Sequence, residues 1–118
     1  MSAQIRFGQI VWAEIADANG IRKARPVIVV TKDDRISSSS PLEVVAISSF
    51  LPNPLPDDHI LLPWHAQGHS KTGLNRKSAA VCGWQTRIAM SDILNVVGLV
   101  PDRHMLEIMK KVESTSPP

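Results

Sequence analysis

Apolar and polar residues alternate along this chain in short blocks, and most blocks have the length of a strand. Gly8-Gln9-Ile10-Val11-Trp12-Ala13-Glu14-Ile15 reads as a mostly buried strand. Asp17-Ala18-Asn19-Gly20 follows with turn chemistry, since Asn and Gly tolerate positive φ. The β-branched run Arg25-Pro26-Val27-Ile28-Val29-Val30-Thr31 is a second strand, with its proline expected at the start, where a missing N–H costs least. A serine-rich loop, 37–41, leads to a third strand, Leu42-Glu43-Val44-Val45-Ala46-Ile47-Ser48. Three prolines within Leu51-Pro52-Asn53-Pro54-Leu55-Pro56 make an irregular extended connection.

His59-Ile60-Leu61-Leu62-Pro63 is a short fourth strand, and residues 64–71 are loop-like. Ser78-Ala79-Ala80-Val81-Cys82-Gly83-Trp84 gives a fifth strand, and Thr86-Arg87-Ile88-Ala89 a short strand or a strand end. Val96-Val97-Gly98-Leu99-Val100 follows a turn begun by Ser91-Asp92. Only the last element changes period. Met105, Leu106, Ile108, Met109 and Val112 recur at helical spacing, with Glu107, Lys110 and Lys111 on the other face and Asp102 placed to cap the N-terminus. Many short strands closed by one helix predict a mainly β fold, a small barrel or sandwich. One domain over 1–113 with a flexible tail, 114–118, is the expected organisation.

Composition adds little beyond support. The chain has 118 residues, 43% of them hydrophobic, and its 13 basic against 11 acidic side chains leave a net charge of only +2. These values fit a folded globular chain. No apolar run approaches the roughly 18 residues that cross a bilayer, no apolar signal core follows Met1, and the lone Cys82 has no partner within the chain. A cytoplasmic protein without membrane contact is therefore expected. The distribution of charge says more than its sum. Residues 65–91 hold Lys71, Arg76, Lys77 and Arg87 and no acid, and Arg22-Lys23-Ala24-Arg25 forms a second basic cluster. If the fold joins these segments, they make a positive face suited to phosphates.

Familiar chemical motifs are absent. The chain has no phosphate-binding glycine loop, no dinucleotide fingerprint and no paired-cysteine zinc pattern. His65 and His69 stand four apart, but among Gln67, Gly68 and Ser70 they lack an acid or cysteine to complete a metal site. No metal is expected. Cys82 sits in an apolar strand, where a buried, inert thiol is expected. Trp12, Trp64 and Trp84 are core or interface residues by default.

Several features nevertheless stand in a telling order. Gly8-Gln9-Ile10-Val11-Trp12 opens the chain, a glycine-bearing loop leads to Arg25-Pro26-Val27-Ile28-Val29-Val30, and a later strand ends Val45-Ala46-Ile47-Ser48-Ser49. Lys71-Thr72-Gly73-Leu74-Asn75-Arg76-Lys77-Ser78, Thr86-Arg87-Ile88, a Gly-Leu-Val strand and a closing amphipathic helix complete the series. This series resembles the MazF/PemK family of type II toxin–antitoxin ribonucleases over roughly residues 5–112. The resemblance implies an SH3-like small barrel of the CcdB/MazF/PemK type with a C-terminal helix, usually a homodimer. It implies cleavage of single-stranded RNA, such as mRNA, at short sequence motifs without metal or other cofactor, and inhibition by a cognate antitoxin protein.

The family's key arginine occupies the R-P position, which implies a catalytic role for Arg25. A threonine often ends the family's third strand and binds the scissile phosphate; Ser48 stands there and keeps the hydroxyl. Arginine suits a phosphate that gains charge, because its planar fork stays cationic. Arg22, Lys23, His69, Lys71, Arg76 and Lys77 are the candidate RNA contacts, and Trp84, Gln85 and Thr86 are placed to stack on or read a base. In the PemK branch an arginine and an aspartate near the fifth strand also take part, whereas Val81-Cys82-Gly83-Trp84 offers neither. Two alternatives therefore stand beside the nuclease: a non-enzymatic binder like CcdB on the same barrel, or an RNA-binding member that has lost cleavage.

Overall fold

The computed structural model describes residues 4–115. It contains β1 (Gln9–Ala16), β2 (Arg22–Val29), β3 (Leu42–Ser48), β4 (His59–Leu61), β5 (Ala79–Ile88), β6 (Ile93–Leu99) and α1 (Asp102–Thr115). The six strands form one antiparallel sheet in the order β4-β5-β3-β2-β1-β6. The expected mainly β fold with a C-terminal helix is the one present. The sheet curls but does not close, since its two end strands, β4 and β6, are not paired to each other.

Both faces of the central strands are buried, which explains why they read as apolar runs rather than as alternations. Ile10, Ile28, Val45 and Ile47 point to one core, where α1 adds Met105, Ile108 and Val112. Val11, Val27, Val29, Val44 and Ala46 point to the other, beside Ile5, Leu42 and Ile88. Ile108 is fully buried, and a side chain of that kind contributes about 1.5–3 kcal/mol. Leu106 departs from the expected apolar helix face. It lies one residue past Met105, about 100° around the helix, and is 65% exposed.

Several boundaries differ from the pattern. Arg25 and Pro26 lie inside β2, which begins at Arg22 because the turn at Asp17 sends Arg22 back against Ala16. Pro26 is tolerated there because β3 pairs only with Val27–Val29, so no ladder on that side needs its N–H. Of the two readings of Thr86–Ala89, the strand end holds: it continues Ser78–Trp84 in one ten-residue strand, β5, bent by a bulge, where Val45 pairs with Gln85, yet Ala46 pairs with Val81. β6 begins at Ile93, directly after a short 3-10 turn, rather than at Val96. Asp102 is inside the first turn of α1 rather than capping it, and the Met105 N–H donates to the Pro101 carbonyl. α1 runs through Ser114 to Thr115, and the rest of the expected tail, 116–118, lies outside the described residues.

The β1–β2 turn shows how local sequence aims the site. Asp17 Oδ1 accepts the N–H groups of Asn19 and Ile21, and Gly20 supplies a φ of +79°. This Asx-type turn fixes β2 against β1 with Ala13 opposite Arg25.

Candidate active site

Arg25 and Ser48 border one cleft where the sheet parts. The β2–β3 pairing ends at Val27 and Ala46. Continued by two residues, the same register sets Arg25 opposite Ser48, and strand alternation puts both on the face of Val27 and Ala46. The strands part there, leaving a cleft of about 520 Å³. Arg25 and Ser48 line it together with Trp12, Phe50, Asn75 and Arg76. Its far wall is the segment after Thr72. That threonine is fully buried, donates its hydroxyl hydrogen to the Pro63 carbonyl and accepts the Leu74 N–H.

The Arg25 guanidinium is held on two sides. Its carbon lies 5.1 Å from the Trp84 ring centroid, a cation–π contact. Its Nη2 is 3.9 Å from Asp17 Oδ2, a long pair between partly exposed groups that adds only modest energy. Nε is screened from solvent and has no acceptor among the described residues. The group is thus oriented more than it is saturated. The Ser48 hydroxyl accepts the Phe50 N–H at 3.1 Å and donates toward the Phe50 carbonyl at 3.4 Å. The second contact is near the limit of a hydrogen bond, so that proton is available to a better acceptor.

A second groove of about 580 Å³ is bordered by Trp84, Gln85 and Thr86 facing the Asp17–Asn19 turn. Arg25 connects the two sites, lining the first cleft while stacking on a wall of the second. Gln85 spends one donor on the Cys82 carbonyl at 2.9 Å.

The remaining cations are scattered. Arg22 pairs with Glu14 at the surface, its Nε 3.7 Å from the carboxylate. Lys23, Lys71 and Lys77 are exposed and line neither groove. His69 Nδ1 accepts the N–H groups of Lys71 and Thr72, so the ring shapes its own loop. His65 does the same for Gln67. Among the described residues no group of three or more His, Cys, Asp or Glu gathers as metal ligands, and no helix is long and apolar enough to cross a membrane.

Sequence reading missed three contributors. Phe50, 75% exposed at the cleft rim, is an aromatic out of place and carried a usable signal. Asp17 looked like turn chemistry alone. Asp58 gave no signal, because its partner Gly83 is 25 residues away. The hydrogen bond from His59 holds the Asp58 carboxyl below its ordinary value, against a smaller opposing effect of burial.

Cys82 is buried, as expected, and burial pushes its thiol up to about 11, with the Asp58 charge adding to the shift. A disulfide-exchange reagent at neutral pH should leave the native thiol unlabelled and label it fully in guanidinium. Labelling of the native chain at the rate of a free thiol would contradict this placement.

Comparison with known proteins follows the same lines as the geometry. The family described as PemK-like, MazF-like toxin of type II toxin-antitoxin system matches residues 6–115. Curated protein sequences give no match. Among solved structures, the Mycobacterium tuberculosis toxin MazF-mt6 is similar with a TM-score of 0.70 at 18% identity, over 91% of this chain and 94% of that one. MazF of Deinococcus radiodurans gives a TM-score of 0.74 at 13% identity, over 96% of each chain. An endoribonuclease from a mycobacterial species, solved in complex with its cognate antitoxin, gives 0.61 at 16% identity, over 98% of this chain and all of that one. At such identities the structural likeness is one of fold.

Proposed function

The chain belongs to the PemK-like, MazF-like toxins of type II toxin–antitoxin systems, and from that membership we propose that it is an endoribonuclease that cuts single-stranded RNA without metal and is restrained by a cognate antitoxin. The observation that supports the reading is that Arg25 and Ser48 line one open cleft at the point where β2 and β3 part.

Cleavage of this kind uses the ribose 2′-hydroxyl as nucleophile. The oxygen attacks the adjacent phosphorus, the bond to the 5′-oxygen breaks, and a cyclic phosphate and a 5′-hydroxyl remain. The site must stabilise the charge that builds on the phosphate oxygens. Arg25 supplies a cation oriented by Trp84 and Asp17, and Ser48 a hydroxyl that can turn to a phosphate oxygen. Arg76 at the rim adds charge for the neighbouring phosphate. Phe50, exposed at the rim, offers an aromatic face to an unpaired base, which stacked DNA or RNA duplexes do not expose. The cleft and its neighbouring groove also suit an extended antitoxin segment lying along the same path, and a homodimer would present two such clefts.

Two substrates and one variant test the roles. An RNA strand of mixed sequence should be cut and the same strand in DNA should not, since DNA lacks the attacking hydroxyl. Ser48→Ala should slow RNA cleavage by about tenfold or more, in proportion to one lost hydrogen bond to a charged group. Cutting of the DNA strand, or an Ser48→Ala protein as fast as wild type, would overturn the assignment.

A further inference from the structure

The bulge in β5 leaves Cys82, Gly83 and Trp84 without partners on β3, because the pairing steps from Gln85 to Val81. Bulge N–H groups left unpaired would be costly, and Asp58 satisfies two of them. The Cys82 N–H donates to the Asp58 main-chain oxygen at 2.8 Å. The Gly83 N–H donates to Asp58 Oδ2 at 3.2 Å. Oδ1 of the same carboxylate is 2.8 Å from His59 Nδ1, on a ring that is only 12% exposed. A Cβ at position 83 would stand 2.6 Å from Oδ2, so the carboxylate keeps this place only opposite glycine and would have to move aside for a larger residue. The next residue, Trp84, carries the ring on which the Arg25 guanidinium rests. Asp58 and His59 line neither groove.

We propose that Asp58, oriented by His59, is a positioning residue that pins the β5 bulge and so sets Trp84 and, through it, the guanidinium of Arg25. The inference rests on the reading of Arg25 as the phosphate-stabilising group. Asp58 acts on geometry alone: one end of its carboxylate is fixed by a nearly buried ring, the other fixes the backbone one residue before Trp84.

The test uses the full chain with Asp58→Ala, Asp58→Asn, Gly83→Ala and the double variant Asp58→Ala with Gly83→Ala. Asp58→Ala and Gly83→Ala remove the same contact from opposite sides. Each should lower kcat on single-stranded RNA by about ten- to a hundredfold, the cost of misplacing a reacting group by about an ångström, with KM changed much less. The double variant should be no slower than the slower single one, as for residues that act through one contact. Asp58→Asn should retain near-normal kcat, because an amide can accept from Gly83 N–H and donate to His59 Nδ1. The indole N–H resonance of Trp84, identified by its loss in Trp84→Phe, should move in the two alanine variants and stay in place in Asp58→Asn. If Asp58→Ala fails to fold, Gly83→Ala carries the same two predictions. Wild-type kcat in the alanine variants, or an unmoved Trp84 resonance in a folded one, overturns the proposal. A wild type that leaves RNA intact overturns the nuclease reading and with it any role of Asp58 in cleavage, while the resonance still decides whether Asp58 sets Trp84.

Discussion

Arg25→Ala should abolish RNA cleavage, with a rate loss of at least about 10²–10³-fold, the size seen when one preorganised donor to a developing anion is removed. The fold should survive the change. Arg25 is half-buried at the mouth of a gap, its ion pair to Asp17 is long, and its Nε finds no acceptor among the described residues. Little stabilisation is lost beyond the contact with the Trp84 ring, about 0.5–2 kcal/mol. Arg25→Lys should not restore the rate. An ammonium keeps the charge but loses the planar fork that both stacks on Trp84 and grips two oxygens at once. Cleavage rate and thermal midpoint measured on the same preparations check both halves of this expectation, and an Arg25→Ala protein that cleaves normally contradicts it.

The largest effect on stability should come from a glycine far from the chemistry. Gly98 in β6 lies so close to the chain at Lys71 and Thr72 that a Cβ there would fall onto the carbonyl oxygens of both. The obstacle is backbone, held by the bond from Leu99 N–H to the Lys71 carbonyl and by the buried Thr72 side chain, so it cannot simply swing aside. Gly73 faces the same contact from the other side, with a φ of +74° and a Cβ direction that runs into the Val97 carbonyl. Gly98→Ala should therefore cost about 1–3 kcal/mol or more. For a domain near this size each kcal/mol lowers the melting midpoint by about 4–8 °C. The segment that must move is the wall of the cleft, so cleavage should fall together with the midpoint. A Gly98→Ala protein that melts with wild type would show that β6 yields where the packing says it cannot.

What the sequence made legible follows from how locally each feature is determined. Val27–Val30 and Val44–Ile47 were readable as strands because both faces are buried and apolar character alone marks them. The turn at Asp17–Gly20 was readable because its hydrogen bonds close within five residues. The β5 bulge was not, since Asp58, which accepts its N–H groups, is remote in sequence, and the gap at Gln85 left open whether Thr86–Ala89 was a short strand or the end of β5. Pro26 looked like a strand start because its tolerance depends on where β3 stops pairing, a tertiary fact. At the cleft, Arg25 and Ser48 came from resemblance, and the β2–β3 register, which ends at Val27 and Ala46, explains why two residues 23 positions apart border one cleft. The basic residues were harder. Arg76 reached the cleft, whereas Arg22 went to Glu14 and the His69 ring to its own loop, because a charge count does not say where a side chain points.

The central claim is that one guanidinium and one serine hydroxyl lining the same cleft cut RNA by using the strand's own 2′-oxygen. Its most direct test is incubation of the purified chain with single-stranded RNA of mixed sequence in excess chelator, followed by analysis of the new ends. Fragments that carry 5′-hydroxyl and cyclic-phosphate ends, absent when Arg25→Ala replaces the wild type, are the predicted result. RNA left intact by the wild type, or cut equally by Arg25→Ala, would contradict it.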